Sequence, residues 1–335
     1  MFNNLNILFF FMMILSTLIS ISSSNWLGVW MGLEINMISF IPLIITTKNI
    51  LSNESAIKYF LIQASSSSLF LMTILFNSFN SISLSSNYLT DSLLFLLATP
   101  LMIKMAAAPF QQWFINIMSG MTWAMCYTVS TWQKITPLFI LNYLIHMNNM
   151  LIILFIILST IVGALGGITQ TLIKKIIAYS SVNHLGWLMT TLLLSKKIML
   201  FYMFFYMILN AFVMFIFNLN NIIQFTQINT KILFVSFVIC MMSLGGLPPF
   251  LGFMPKLMLI KMLLENNLFN LSMILVATTL VTLFFYLRMT FSIMNLSSIS
   301  QKWYTLKYPN KNILIYSLLT VFSSLGLVTT NLFLF

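Results

Sequence analysis

Four ionisable side chains stand inside the most apolar stretches of the chain. They are Glu34 in WLGVWMGLEINMISFIPLII, Lys104 in DSLLFLLATPLMIKMAAAPF, Lys134 in TWAMCYTVSTWQKITPLFIL and Lys256 in LGGLPPFLGFMPKLMLIKML. A charge at bilayer depth costs several kcal/mol on insertion scales, so a group kept there has a partner or a task. Amines taken from water into apolar surroundings hold their protons less tightly, and a neighbouring carboxylate restores the hold. Glu34 and Lys104 therefore read as a pair that opens and closes, with release of a proton when the two are apart. Moving one charge against 100 mV takes about 2.3 kcal/mol, so a potential of roughly 150–200 mV asks for a change in proton affinity of about a thousandfold. A buried pair that separates supplies such a change, and a solvated pair does not. A static pair that ties two helices together is the alternative left open by the residues alone.

His184 lies in AYSSVNHLGW, a polar patch of Ser180, Ser181, Asn183 and His184 within an apolar run. A hydrogen-bonded structural histidine and a proton relay both fit, because imidazole titrates near neutral pH unaided. The other titratable groups read as structural. Lys58 begins an apolar run and snorkels. Lys261 and Glu265 are four apart and form a local pair. Asp91 follows Thr90 as a helix cap, and His146 is interfacial. No His- or carboxylate-rich cluster has metal-ligand spacing, and no GxGxxG or P-loop occurs. Cys126 and Cys240 form no CxxC, so four-thiolate iron–sulfur ligation is excluded within this chain.

These groups must be positioned by membrane helices. Of 335 residues, 60% are hydrophobic and only 6% charged, and apolar runs recur to the last residue; the mean hydropathy is +1.01. Stretches of about 20 apolar residues read as spans. The expected fold is an all-α polytopic membrane protein with eleven transmembrane helices, near 5–21, 26–46, 56–76, 91–114, 122–145, 150–166, 172–194, 198–219, 232–264, 269–290 and 312–334. The first run has no Lys or Arg before it and no cleavage site after it, so it reads as a retained span. The chain forms one membrane domain, with polar loops near 77–90, 220–231 and 291–311. Ser65–Ser68 read as small residues that let helices approach.

Seven of the eight prolines fall inside expected spans, Pro309 being the exception. Proline removes a donor and clashes with the carbonyl four residues back. For Pro109 that carbonyl is Met105, beside Lys104; for Pro137 it is Gln133, beside Lys134; Pro255 precedes Lys256 directly. Irregular backbone at membrane depth is tolerated only where it is buried in protein or faces water. Two helices are expected to be broken, near Ala106–Pro109 and Gly245–Pro249. They are five spans apart, and an odd number of crossings inverts a repeat. Helices 1–5 and 6–10 are therefore expected as inverted repeats, with helix 11 C-terminal.

The net charge of +11 is too thinly spread for a nucleic-acid-binding face. One set of helix ends and loops collects Lys48, Lys58, Lys174, Lys175, Lys231, Arg288, Lys302, Lys307 and Lys311. The other collects Lys196 and Lys197, with Lys261 near its end of a helix. By the positive-inside rule the N-terminus is inside and the C-terminus outside.

The segments WLGVWMGLEIN, KMAAAPFQQWF, TWQKITPL, LIKKIIAYSSVNHLGW and SLGGLPPFLGFMPK, collinear from near residue 5 to about 290, resemble the NADH–ubiquinone oxidoreductase chain 2 family. These are antiporter-like membrane subunits of respiratory complex I in animal mitochondria. The Met-, Phe-, Ile- and Asn-rich composition is similar to arthropod versions. The resemblance implies a proton-translocating subunit of an NADH:ubiquinone reductase with no redox centre of its own. NADH, FMN, iron–sulfur clusters and ubiquinone would belong to other subunits. It implies multi-pass residence in the mitochondrial inner membrane, N-terminus in the matrix and C-terminus in the intermembrane space. The partners would be other membrane subunits of the complex and the lipid bilayer, with cardiolipin a candidate lipid, and no nucleic acid.

By likeness, Glu34 is the carboxylate of the first helix pair, Lys104 its partner in the first broken helix, Lys134 the central relay and Lys256 the lysine of the second broken helix on the exit side. His184 matches a histidine often found in that polar helix. Animal chains resemble a shortened bacterial subunit that lacks its first three helices, which agrees with eleven spans. One departure is Gln111, where the family commonly has His after Ala-Pro-Phe; glutamine does not titrate. Two further readings stand beside this one. A free-standing cation/proton antiporter would work without redox partners, and a non-pumping scaffold would tolerate apolar residues in place of the lysines.

Overall fold

The computed structural model describes residues 4–46, 49–83, 87–144, 149–220, 222, 224, 231–299, 320–321 and 323–324. Among the described residues the regular structure is helical throughout. The helices are α1 (Asn4–Ser22), α2 (Trp26–Ile44), α3 (Ile50–Ser83), α4 (Asn87–Met105), α5 (Gln112–Gly120), α6 (Trp123–Ser130), α7 (Trp132–Leu144), α8 (Asn149–Ile168), α9 (Ile173–Leu194), α10 (Lys196–Asn220), α11 (Lys231–Gly245), α12 (Phe253–Glu265) and α13 (Phe269–Ile299). Six described stretches, in α1, α2, α3, α8, α10 and α13, are long and apolar enough to cross a membrane. The expected eleventh span, 312–334, lies almost wholly outside the described residues, as do His146, Lys302, Lys307, Pro309 and Lys311.

The first helix shows what solvent the fold is built for. In α1 the buried residues are Met13, Ser16, Thr17 and Ser20, whereas Leu5 is 65% and Phe11 59% exposed. A helix in water would bury the opposite face. Here the small polar residues face protein, and each hydroxyl is satisfied within its own helix: Ser16 and Ser20 donate to the Met13 and Thr17 carbonyls, both at 2.8 Å. Small residues let backbones approach, the main source of helix–helix packing in lipid. A Cβ at Gly32 of α2 would lie 2.7 Å from Ser20 Cβ and 2.8 Å from Ser20 N. The serine tract of α3 is split in the same way, with Ser66 and Ser67 buried and Ser65 and Ser68 exposed.

The chain divides into two compact units, 1–159 and 160–335, with the division inside α8. In the first, α1 packs on α2 and α7, α2 on α3, α3 on both α4 and α5, and α4 on α7. In the second, α9 packs on α10, α10 on both α11 and α12, and these two on α13. The series α2, α3, α4/α5, α7 shares the neighbours α2–α3, α3–α4, α3–α5 and α4–α7 with α9–α10, α10–α11, α10–α12 and α11–α13, whereas the contacts of α9 with α12 and α13 and of α12 with α13 have no counterpart of that size in the first unit.

Among the described residues each unit contains one wide break, and the two breaks are built alike. Ala106 has φ +60° and Gly246 φ +76°. The next N–H reaches back five residues in both, Ala107 to the Met102 carbonyl at 3.0 Å and Leu247 to the Met242 carbonyl at 3.4 Å. A turn follows three residues on, from Phe110 N–H to the Ala107 carbonyl and from Phe250 N–H to the Leu247 carbonyl. A left-handed residue closing a helix in this way satisfies carbonyls that would otherwise be orphaned at membrane depth. Pro-Phe follows at the same offset in both, and the Ala108–Pro109 bond is cis.

Several local expectations are corrected. The broken span does not end near 114, because α5 runs on to Gly120. The span holding Lys134 is interrupted at Thr131, between α6 and α7. There the Lys134 N–H bonds the Thr131 carbonyl, three residues back, at 3.2 Å. Pro137 crowds the Gln133 carbonyl, and the helix yields in the turn before it. Asp91 is not a cap, since α4 starts at Asn87. Lys58 does not open a helix; α3 starts at Ile50, which places Lys58 one turn after Glu54, and the two form an exposed ion pair. Such a pair contributes only about 0.3–0.5 kcal/mol. Lys261 and Glu265 share α12 but make no ion pair within 4.0 Å.

Candidate proton-relay site

Unit 1 places two of the four groups around one cavity. Lys104 falls in the last turn of α4, where the helix dipole favours a cation. The Ile103 carbonyl there accepts both the Ala106 N–H at 3.0 Å and the Trp113 indole N–H at 3.1 Å. Lys134 comes from the first turn of α7, and its ammonium stands 5.2 Å over the Phe114 ring. Lys104 is 7% and Lys134 2% exposed. Both line a cavity of about 20 Å³, walled also by Asn36, Gln63, Gln133 and Thr136. That is space for a single water, since one needs roughly 10–15 Å³ by this measure. The wall is already ordered by polar contacts, because the Gln133 amide donates to Asn36 Oδ1 at 3.1 Å. Thr136 Oγ1 is buried with no hydrogen-bond partner among the described residues.

Glu34 sits half-buried on α2, one residue after the cavity-lining Leu33 and two before Asn36, and does not itself line the cavity. It acts on Lys104 through Coulomb attraction but makes no contact with it within 4.0 Å. Glu34 and Lys104 are therefore not in ion-pair contact here. Gln111 stands at the start of α5 with its amide oxygen buried, so that position holds a neutral polar group.

Unit 2 places Lys256 and His184 in its own core. Lys256 rises from α12 toward the end of α11 and donates to the Gly245 carbonyl at 2.8 Å and the Leu244 carbonyl at 3.3 Å. The break exists at Gly-Gly-Leu-Pro-Pro because these residues cannot carry a helix. The carbonyls it frees are what hold the ammonium. Lys256 is 6% exposed and lies 5.7 Å over the Trp187 ring. Gly246 has positive φ, and a Cβ there would meet Lys256 Cδ at 2.8 Å and Nζ at 3.0 Å. Gly246→Ala is expected to lose about 1–2 kcal/mol from the backbone conformation alone and to push Lys256 off its carbonyls. Thermal inactivation and a high-resolution map of the variant would check both. His184 is buried, with Nδ1 3.0 Å from the Tyr202 hydroxyl.

Sequence reasoning missed Asn36, Gln63, Gln133 and Thr136, and also Tyr202. The signal was present: amides and hydroxyls at the depth of the charged residues carry a similar though smaller burial cost. Among the described residues no three His, Cys, Asp or Glu side chains come together as a metal-binding group. Cys126 and Cys240 are buried free thiols.

Residues 23–282 match the membrane-domain model described as NADH:quinone oxidoreductase/Mrp antiporter. NADH-ubiquinone oxidoreductase chain 2 of Aedes aegypti is 41% identical over 335 residues, 98% of this chain and 97% of the mosquito protein. That of Locusta migratoria is 37% identical over 99% of this chain and 98% of its own length. The chain belongs to the NADH-ubiquinone oxidoreductase chain 2 family.

The chain 2 fold is also seen in more distant structures. A chain of respiratory complex I from Thermus thermophilus superposes with TM-score 0.81 at 21% identity, over 98% of this chain and 79% of that one. A chain of the Mrp complex from Dietzia does so with TM-score 0.79 at 15% identity, over 96% and 74%. The antiporter-like architecture is thus common to both kinds of assembly, and this member of the chain 2 family is a multi-pass membrane protein.

Proposed function

We propose that this chain is a proton-translocating membrane subunit of a respiratory NADH:ubiquinone oxidoreductase. It resides in the mitochondrial inner membrane, with its N-terminus in the matrix and C-terminus in the intermembrane space. The redox groups belong to partner subunits, and its own contribution is a proton path. The observation that carries this reading is the cavity lined by both Lys104 and Lys134: two buried amines, a polar wall and space for one water. A lysine has three donors and, once deprotonated, a lone pair, so a water between two amines can pass a proton either way.

Glu34 sets the direction. At more than 4 Å and an effective dielectric of about 20, its attraction for Lys104 is below about 4 kcal/mol. That is the scale of the 2.3 kcal/mol needed per charge per 100 mV. Closing or opening the Glu34–Lys104 distance therefore changes how firmly Lys104 holds its proton by an amount that matters. Transfer runs from Lys104 to Lys134, with His184 and Lys256 as the groups of the second unit and Lys256 on the exit side.

Reconstituted complex should show the effect directly. Glu34→Gln keeps shape and hydrogen bonding but removes the charge; the ratio of protons moved to electrons passed should fall, with electron transfer to an artificial acceptor unchanged. An unaltered ratio would remove Glu34 from the path. The Mrp likeness raises a stand-alone cation/proton antiporter as a second reading. Sodium-driven proton exchange by the purified chain would favour it.

A further inference from the structure

Unit 2 contains a buried aromatic and polar cluster that reaches beyond His184 and Lys256. Tyr202, Tyr206 and Asn210 are spaced i, i+4, i+8 along α10, so they form one stripe, and all three are buried. The stripe faces His184: Tyr202 O–H is 3.0 Å from Nδ1, and the Tyr206 ring centroid is 5.2 Å from the imidazole. Trp187, one turn on from His184, lies nearly parallel to the Tyr202 ring, 10° between planes and 6.4 Å between centroids. The Lys256 ammonium is over the same indole at 5.7 Å. From α13, Tyr286 approaches Ser180. The adjoining α8, whose Gly163 comes against the Asn183 backbone, carries no titratable side chain. On α9 itself the other titratable groups are Lys174, Lys175 and Tyr179, toward its start.

We propose that Tyr202 is the positioning residue that makes His184 a reversible proton carrier. This rests on the relay reading above. A phenol both donates and accepts. With the imidazole neutral and its hydrogen on Nε2, the Tyr202 O–H donates to Nδ1. When Nδ1 takes up a proton, the hydroxyl turns its own hydrogen away and accepts the new N–H through its oxygen lone pair. An ammonium of the relay supplies the proton, so one ammonium N–H bond breaks as one imidazole N–H bond forms; the phenol keeps its own O–H, and the 3.0 Å contact serves both charge states. A histidine anchored on a backbone carbonyl would lack this symmetry, because a carbonyl only accepts. Trp187 keeps the phenol in place and lies against the Lys256 ammonium, so the holder of one carrier is packed on the next.

The test uses reconstituted complex carrying Tyr202→Phe, which retains the ring and its packing on Trp187 and deletes only the hydroxyl. Thr190→Val is the control for losing a buried hydroxyl from the same region, since Thr190 donates only within α9, to the Trp187 carbonyl at 2.7 Å. Proton-to-electron ratios are measured between about pH 6 and 8, the range in which imidazole titrates. Tyr202→Phe should show about half the loss caused by His184→Gln, with a changed pH profile, because the imidazole loses this partner in both charge states and the charged state loses the stronger bond. Thr190→Val should keep the wild-type ratio and profile. If Tyr202→Phe behaves like Thr190→Val while Lys134→Met lowers the ratio, the positioning role is overturned and the relay stands. A normal ratio in Lys134→Met overturns the relay and this role with it.

Discussion

Lys134→Met abolishes proton movement through this subunit and leaves the subunit assembled. The side chain is 2% exposed and comes from the first turn of α7. Methionine fills nearly the same volume, so no large cavity opens. Removing a buried charge also removes the cost of keeping it out of water. Assembly should therefore survive, and thermal stability should hold or rise. Transport should not survive, because the Lys104 cavity then ends on a group that cannot bind a proton. Lys134→Arg sharpens the result. Guanidinium keeps the charge but does not release its proton in proteins, so it too should fail. A scaffold role predicts the reverse: both variants would give a normal proton-to-electron ratio in reconstituted vesicles, and that result would end the relay reading.

Gly252→Ala is expected to be the most damaging small substitution for the fold. Its φ of −67° is ordinary, so the glycine is required for space and not for backbone freedom. A Cβ there would lie 1.8 Å from the Ser243 carbonyl oxygen and 2.9 Å from its carbon. A flexible side chain could move aside, but a carbonyl in α11 cannot without disturbing the helix end. That end presents the Leu244 and Gly245 carbonyls to Lys256. Overpacking of a core typically costs about 1–3 kcal/mol, and a backbone clash belongs at or above the top of that range. Assembled complex should be scarce and its inactivation temperature lowered. Gly28→Ala, whose nearest neighbour would be Ser23 Cβ at 2.9 Å, should cost less. Equal abundance of the two variants would show that the break is not held by this contact.

Much of the architecture was legible from residue types. Runs of about 20 apolar residues announced α1, α2, α3, α8, α10 and α13, and Gly-Gly-Leu-Pro-Pro announced the gap between α11 and α12. Helix ends were less legible, as Lys58 and Asp91 show. A polar residue near an apolar run looks like a boundary, yet α3 and α4 each begin several residues earlier. In a long helix that leaves the bilayer, nothing apolar marks where the backbone starts to coil. The interruption at Thr131 was likewise hidden, since Pro137 gives the cause but not the turn in which the helix gives way.

Among the candidate site residues, the lysines stood out because a charge in an apolar run is rare and costly. Asn36, Gln63, Gln133 and Tyr202 did not stand out, because single neutral polar groups are common in spans. Their significance appears only when α2, α3, α7 and α10 bring them to a lysine or a histidine.

By itself the sequence determined the solvent, the class of fold and which charges would be buried. Each of these follows from the free energy of moving side chains out of water, which is nearly a property of one residue and its near neighbours. Tertiary structure decided which groups share a cavity, that Glu34 and Lys104 stand apart, and that freed carbonyls hold Lys256. Those depend on distances between helices, set by small residues such as Gly32 and Gly252 that let backbones close to contact.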